Sequence, residues 1–201
     1  VLSLNCKTSN SSYQVAVELV NELRPDGQEI SSTGYPQRTV FNKLYEEIEA
    51  IGGTVLVVLD EIDSIGDRDE LLYELPRARA NDNLHSTQVG VIGISNDFKF
   101  RERLDPRVQD TLCERELQFS PYDAPELENI LRSRADVAIA DNSIEQGVME
   151  LCAALAARDS GSARQALDLL RLAGEIAEND EDERIRREHV DSARAKLEQE
   201  R

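Results

Sequence analysis

Three carboxylates follow an apolar run in the first third of the chain. Residues 55–59 carry no polar side chain, and Asp60, Glu61 and Asp63 come directly after them. So much negative charge at the end of a buried strand is favoured where a cation and a phosphate bind, because carboxylates ligate Mg²⁺ and can deprotonate water. The pattern predicts that Asp60 holds Mg²⁺, directly or through water, and that Glu61 orients and deprotonates an attacking water. A strand that runs into an acidic turn is the alternative.

A second apolar run also ends in polar residues. Residues 88–95 are rich in Val and Ile and lead into Ser95-Asn96-Asp97. In open α/β sheets, ligands bind at the carboxyl ends of the strands. The amide of Asn96 is therefore a candidate to hydrogen-bond a phosphate or the attacking water. An Asx turn that closes the strand is the simpler alternative.

Two arginines stand at predicted helix starts. Arg107 follows Asp105 and Pro106, which suit the cap and the first position of a short helix. Arginine in such a first turn is suited to neutralising a phosphate in the site of a neighbouring subunit. Arg164 follows the capping candidate Ser162, and a helix N-terminus with an arginine is an anion site. For both arginines, a solvated or carboxylate-paired surface residue is the alternative.

The elements that position these residues follow from hydrophobic periodicity. Strands are predicted at 1–4, 54–60, 88–95 and 115–119, and helices at 13–23, 39–51 and 69–79. Strands that lack alternation and are separated by helices indicate a parallel sheet covered on both faces. The first part of the chain is therefore predicted to be an α/β domain.

After Pro121 the pattern changes to helices alone. Amphipathic helices are predicted at 124–139, 143–158, 162–178 and 187–200, with no strand among them. The change predicts a domain boundary, with an α/β domain over residues 1–122 and an all-helical domain over residues 123–201.

The charge of the chain is strongly acidic. Forty Asp and Glu residues oppose 23 Lys and Arg residues, for a net charge of −17 at pH 7. Such an excess argues against nucleic-acid binding, because phosphates need basic partners. Acidic residues occur in nearly every segment and lysine is rare, which is typical of adaptation to a cytoplasm at molar salt, where the Debye length is about 3 Å. An ordinary acidic protein is the alternative.

Cysteine and apolar content favour a reduced, cytoplasmic protein. The three cysteines lie far apart without a CxxC pair, and the only histidines are His85 and His189, so a zinc site is not expected. No apolar run approaches the roughly 20 residues that span a bilayer. The chain starts without Met and within an apolar run, so we expect Val1 to lie inside a longer chain.

In their order and spacing, these motifs resemble those of the AAA+ ATPases. Within them, the chain is similar to the archaeal replication initiators related to the origin recognition complex and the cell-division-control licensing factor. The phrases that carry the resemblance are LNCKTSNSSYQVAVELV, VLVVLDEID, LLYELPRA, GISNDFKFRERLDPRV and GSARQALDLLR. The acidic, lysine-poor composition resembles the haloarchaeal branch. The resemblance implies an AAA+ parallel-sheet core, here without its first strand and phosphate loop, followed by an all-helical lid.

The resemblance also implies a role for each candidate residue. It makes Asp60 and Glu61 the Walker B pair, Asn96 sensor 1, Arg107 the arginine finger and Arg164 sensor 2. The family carries an extra helix between Walker B and sensor 1, here residues 69–80. Its Arg77 and Arg79 are candidates to contact a DNA backbone, and ion pairs on an acidic helix are the alternative.

The implied protein binds ATP or ADP with Mg²⁺, binds origin DNA, assembles with other initiator subunits and helps to load the replicative helicase. Two family features are missing from these residues: a phosphate loop GxxxxGK[ST], since no Gly-Lys dipeptide occurs, and a winged-helix domain after the last lid helix. We therefore expect a chain that is truncated at both ends and inactive alone as an ATPase. The alternatives are a non-catalytic, degenerate AAA+ interaction module and another AAA+ machine such as a clamp loader.

Overall fold

In the part of the chain that the structure describes, residues 1–9, 11–66, 68–112 and 115–199, three parallel strands form one sheet. This computed structural model has strands at Leu2–Asn5 (β1), Thr54–Asp60 (β2) and Gln88–Gly93 (β3). β2 lies between the other two strands and pairs with both in parallel. The predicted α/β class and parallel sheet are confirmed.

Within the described residues, four α-helices accompany the strands in the first of two compact units, Val1–Glu116. They are Ser12–Leu23 (α1), Gln37–Ile51 (α2), Arg68–Arg77 (α3) and Pro106–Leu112 (α4). α3 ends two residues before its predicted end. Beyond it the backbone continues as turns, in which the N–H of Asn81 donates to the carbonyl of Arg77.

The core of the first unit fixes the central strand between helices. Val57 and Leu59 of β2 are fully buried, in one cluster with Leu19 of α1 and with Leu44 and Leu71 from α2 and α3. Each leucine buried in this way contributes about 1.5 to 3 kcal/mol. The packing therefore fixes the point at which β2 ends and Asp60 emerges.

Glu49, near the end of α2, holds the segment that enters β3. Its carboxylate accepts hydrogen bonds from the Ser86 hydroxyl (2.6 Å) and from the backbone N–H groups of Ser86 (2.7 Å), His85 (3.2 Å) and Thr87 (3.3 Å). These bonds, first among them the one from the Ser86 hydroxyl, lower the pKa of Glu49 to about 2, because they stabilise the carboxylate form. The start of β3 is thus tied to α2.

The strand predicted at 115–119 is wrong. These residues form no strand, and Leu117 and Phe119 are 73% and 84% exposed. A strand needs a neighbouring backbone to complete its hydrogen bonds. No such ladder forms between residues 115–119 and the three described strands, so the apolar alternation of the segment has no sheet face to fill.

The second compact unit, Leu117–Arg201, is helical. Its described helices are Ala124–Ala138 (α5), Val148–Asp159 (α6), Ala163–Asn179 (α7) and Arg187–Gln199 (α8). Their shared core includes Leu127, Leu131, Cys152, Leu169 and Val190. No helix in the described ranges is long and apolar enough to cross a lipid bilayer.

Two details of the second unit differ from the sequence-based expectation. α6 begins at Val148 rather than at 143, because Ile144 instead forms an isolated parallel bridge with Ile185. Residues 117–122, which the sequence assigned to the first domain, fall in the second unit. Among them, the N–H of Tyr122 donates to the carbonyl of Gly161, which precedes α7.

Candidate functional site

Asp60 ends β2 at the carboxyl edge of the sheet, where Asn5 ends β1. The two residues are register partners, and Asn5 Nδ2 donates to Asp60 Oδ2 at 3.3 Å. The other carboxylate oxygen, Asp60 Oδ1, accepts the backbone N–H of Glu61 at 3.0 Å. Asn5 is oriented in turn by Lys7, whose N–H donates to Asn5 Oδ1 at 2.9 Å. The partly exposed Asp60 carboxylate is therefore held in one orientation.

Glu61 adopts a left-handed backbone conformation, with φ 53° and ψ 42°. For a residue with a Cβ this conformation costs roughly 1 to 2 kcal/mol. Backbone hydrogen bonds on both sides of Glu61 hold this conformation. The N–H of Ile62 donates to the carbonyl of Ile94 at 3.0 Å, and the N–H of Ile94 donates to the carbonyl of Leu59 at 2.8 Å. Strain of this kind, imposed by surrounding structure, clusters at functional sites.

Asp63 and Ser95 connect the turn after β2 to the turn after β3. Ser95 Oγ donates to Asp63 Oδ1 at 2.8 Å and accepts the backbone N–H of Asp97 at 3.0 Å. Asp97 also accepts the N–H of Lys99 and forms an ion pair with Arg103. The third carboxylate of the acidic run thus joins the two turns through the Ser95 hydroxyl.

Asn96 lies between these turn residues with its side chain exposed. The turn is closed by Ser95 and Asp97, and no described residue hydrogen-bonds the Asn96 amide. β2 and β3 are adjacent and parallel, with Leu59 opposite Gly93. Asp60 and Asn96 therefore follow neighbouring strand ends at the same edge of the sheet.

Cys6 lies directly after β1, where the negative charge at this edge of the sheet affects the pKa of its thiol. The thiol is fully buried, and its pKa is raised to about 11 by burial first, then by the carboxylates of Glu18 and Asp60. Cys6 is therefore a neutral thiol at physiological pH. The second described cysteine, Cys152, is buried in the helical unit, where burial raises its pKa to about 12. Neither has the depressed pKa of a nucleophilic cysteine.

Arg107 occupies the second position of α4, as predicted. The Oδ1 atom of Asp105 accepts its backbone N–H at 2.9 Å and its Nε–H at 3.1 Å, and Arg107 Nη2 donates to Asp105 Oδ2 at 3.3 Å. These bonds lower the pKa of Asp105. The Arg107 side chain is nevertheless 82% exposed, so its guanidinium is accessible from outside the chain.

Arg164 lies in the first turn of α7, in the helical unit. Ser162 caps this helix by accepting the N–H of Gln165 at 3.4 Å, as the sequence predicts. The Arg164 side chain is exposed, and it forms no ion pair with a described residue. An arginine at a capped helix start, without a carboxylate partner in the described chain, can take an anion from solution.

Arg77 and Arg79 are in unlike surroundings. Arg77 ends α3 with its guanidinium carbon 5.1 Å from the centre of the Tyr73 ring, and its buried Nε has no hydrogen-bond partner among the described residues. Arg79 lies beyond the helix and is exposed. Neither forms an ion pair with a carboxylate of the described residues. Glu74, a carboxylate near both in sequence, accepts the hydroxyl of Tyr45 instead, at 3.3 Å.

Comparison with known proteins gives a family model and close relatives. Residues 128–195 match the Cdc6 AAA+ ATPase-type lid domain. The chain is 78% identical over 201 residues to ORC1-type DNA replication protein 15 of Haloarcula marismortui, covering all of this chain and 49% of that protein. It is 72% identical over the same length to ORC1-type DNA replication protein 10 of Halobacterium salinarum, again with 49% coverage of the relative. The chain spans about half the length of these relatives.

Solved structures give the same likeness. The Aeropyrum pernix ORC1 protein in complex with DNA matches with a TM-score of 0.83 and 40% identity, over 98% of this chain and 50% of that one. The Aeropyrum pernix ORC2 protein, solved as ADPNP–ADP complexes, matches with a TM-score of 0.75 and 25% identity, over 96% of this chain and 51% of that one. The similarity therefore extends over both units.

Proposed function

We propose that the chain is part of an ORC1/Cdc6-type AAA+ protein, and that this protein takes part in ATP-dependent initiation of DNA replication in the cytoplasm. One observation carries the proposal above all. At a single sheet edge, the carboxylate of Asp60 is oriented by Asn5, the strained Glu61 follows it, and the amide of Asn96 is exposed nearby. An acidic sheet edge with side chains oriented in this way suits the binding of a nucleoside triphosphate and its metal ion.

The donor set fits Mg²⁺. Asp60 offers carboxylate oxygens, which this ion prefers. No cationic side chain of the described residues pairs with Asp60, and its negative charge contributes to the raised pKa of Cys6. Mg²⁺ held by Asp60, directly or through water, supplies positive charge that neutralises phosphate oxygens.

The proposed roles of the protein side chains divide between the two units. Glu61 orients the attacking water and accepts its proton. Asn96 hydrogen-bonds the γ-phosphate or that water, and Arg164 contacts a phosphate from the start of α7. Arg107, exposed at the start of α4, reaches the nucleotide of a neighbouring subunit and stabilises the charge that develops there.

The test is Glu61→Gln in the protein expressed from its complete native gene. The amide keeps the size of the side chain and loses the base, so the variant is expected to bind ATP normally and to hydrolyse it about 100-fold more slowly or worse. Asp26→Asn, which changes an exposed carboxylate between α1 and α2, is the matched control. Single-turnover hydrolysis equal to that of the wild type would refute the role of Glu61.

Origin DNA is the second proposed ligand. A relative with 40% identity was solved in complex with DNA, and Arg79 is exposed beyond the end of α3 while Arg77 presents a guanidinium stacked on Tyr73. We propose that this end of α3 contacts the DNA backbone. Other initiator subunits and the replicative helicase are the proposed protein partners.

A non-catalytic AAA+ interaction module is the second candidate. The 201 residues contain no Gly-Lys dipeptide, hence no GxxxxGK[ST] loop, and the backbone and lysine of that loop are the main cradle for phosphates. The 201-residue chain is therefore expected to bind a fluorescent ATP analogue weakly, and micromolar binding would show a phosphate site elsewhere. For the complete gene product, the absence of ATP binding would favour the non-catalytic module.

A further inference from the structure

Gly161, in the turn between α6 and α7, carries two separate constraints. Its φ is +64°, a left-handed conformation that is common just after a helix and favours glycine. A Cβ at this position would also lie 2.5 Å from the Cβ of Pro121 and 2.8 Å from the carbonyl oxygen of Tyr122. The second constraint comes from a segment about 40 positions away in the sequence, so turn geometry does not explain it.

A hydrogen bond accompanies this close approach. The N–H of Tyr122 donates to the carbonyl of Gly161 at 3.0 Å. The next residue, Asp123, forms a capping box with Glu126 at the start of α5. The segment that enters the helical unit is therefore fixed on one side by the cap of α5 and on the other by Gly161.

Gly161 is close in sequence to the arginine proposed to contact phosphate. Ser162 caps α7, and Arg164 lies in its first turn. Two hydrogen bonds span Arg164 at this helix start: the N–H of Gln165 donates to Ser162 Oγ at 3.4 Å, and the N–H of Ala166 donates to the carbonyl of Ser162 at 3.1 Å. A displacement of Gly161 is therefore passed directly to the backbone of Arg164.

We propose that Gly161 is a positioning residue, which lets Pro121 and Tyr122 lie directly on the turn before α7 and so sets the place of Arg164 relative to the segment entering the helical unit. The proposal rests on the proposed nucleotide function for the role of Arg164. The contact itself stands on the geometry of Gly161, Pro121 and Tyr122.

The contact is tested by amide hydrogen exchange in the complete gene product. Gly161→Ala is expected to raise the exchange rate of the Tyr122 amide about tenfold or more, because its acceptor is displaced. Gly147→Ala is the matched control: Gly147 is also left-handed, with φ +89°, but no atom of the described residues lies within 4 Å of a Cβ added there. Equal effects of the two substitutions at Tyr122 would overturn the proposal.

The link to Arg164 is tested in the complete gene product by a double-mutant cycle on the affinity for a fluorescent ATP analogue. Arg164→Ala and Gly161→Ala are each expected to weaken binding. If Gly161 acts through Arg164, the effects of the two substitutions do not add. The double variant is therefore expected to bind no more weakly than Arg164→Ala alone. Gly147→Ala should leave the affinity unchanged. Additive losses in the double variant would overturn the proposal.

A further variant covers the case in which Gly161→Ala does not fold. Tyr122→Pro removes the N–H donor without adding an atom at Gly161. This variant then replaces Gly161→Ala in the double-mutant cycle on nucleotide affinity. A wild-type protein that binds no nucleotide would overturn the proposed function together with this role of Gly161. Additive losses in a wild type that binds nucleotide would overturn only the inference about Gly161.

Discussion

The side-chain amide of Asn5 donates a hydrogen bond to the carboxylate of Asp60 across two adjacent strands, over 3.3 Å. The residues are 55 positions apart in sequence, and the parallel register of β1 and β2 brings them side by side. If Asp60 holds Mg²⁺ as proposed, Asn5 contributes to the metal affinity without touching the metal, because it orients the carboxylate.

Asn5→Ala is expected to raise the Mg²⁺ concentration needed for half-maximal ATP hydrolysis about tenfold, as loss of an orienting partner does at other metal sites. The measurement is a Mg²⁺ titration of hydrolysis by the complete gene product. Asn42→Ala, on the exposed face of α2, is the control. An unchanged Mg²⁺ dependence in Asn5→Ala would show that Asn5 only supports the sheet.

Glu61→Gly is expected to be more stable than Glu61→Ala, and both variants are expected to lose ATP hydrolysis. Glycine adopts the left-handed conformation of this position without the Cβ penalty, so the free energy of unfolding should rise by roughly 1 kcal/mol relative to Glu61→Ala. Urea unfolding of the two variants in molar KCl gives the difference. Equal stability of the Gly and Ala variants would contradict the strain assigned to Glu61.

Much of the fold could be predicted from local patterns. The apolar run before Asp60 and the helix cap at Ser162 were sufficient to identify β2 and α7, because both signals reside within a few residues. The error at residues 115–119 has a different origin. Their alternation is that of a strand, but a strand also requires a free neighbouring edge, and no local pattern reports whether one is available.

Acid should weaken the protein partly through Glu49. Its folded pKa of about 2 lies below the ordinary value of 4.5, so its contribution to stability is complete above pH 4.5 and is lost as the pH falls towards 2. Glu49→Gln is therefore expected to lower stability at neutral pH and to have a shrinking effect below pH 4.5.

The measurement for Glu49 is urea unfolding across this pH range. Glu46→Gln, an exposed position on the same helix, controls for the loss of one negative charge. A difference between wild type and Glu49→Gln that stays constant down to pH 2 would contradict the assignment of the lowered pKa to the Ser86 contacts.

Arg77 and Arg79 are expected to contribute unequally to DNA binding. Arg79 is exposed beyond α3, so Arg79→Ala should weaken binding about equally for all DNA sequences. It should also reduce the slope of log K against log salt concentration by about 1. Arg77 is stacked on Tyr73, so Arg77→Ala should change this slope less.

The DNA affinity of both arginine variants is measured by fluorescence anisotropy, with DNA duplexes of unrelated sequence at several salt concentrations. Arg187→Ala, on the exposed start of α8, is the control for loss of one positive charge. If neither Arg77→Ala nor Arg79→Ala alters the slope, the end of α3 does not contact DNA.

The candidate site was less accessible to sequence reasoning than the fold. Asp60, Glu61 and Asn96 follow recognisable strands, so their shared sheet edge could be predicted. The partnership of Asn5 with Asp60 could not, because it depends on which strands are neighbours and on their register. The stacking of Arg77 on Tyr73 could not be predicted either: the sequence offered an ion pair as the alternative to a DNA contact, and charge counting along a helix does not reveal aromatic contacts of this kind.

The parallel register of the sheet also affects how fast each unit forms. Asn5 meets Asp60 only after 55 positions of chain have been closed into a loop, whereas helices that are consecutive in the second unit pack against each other. Closing long loops costs entropy before any contact is gained, and structures built on distant contacts fold more slowly. The helical unit should therefore complete its folding before the sheet, and the acidic edge at Asp60 should be among the last parts of a newly made chain to form.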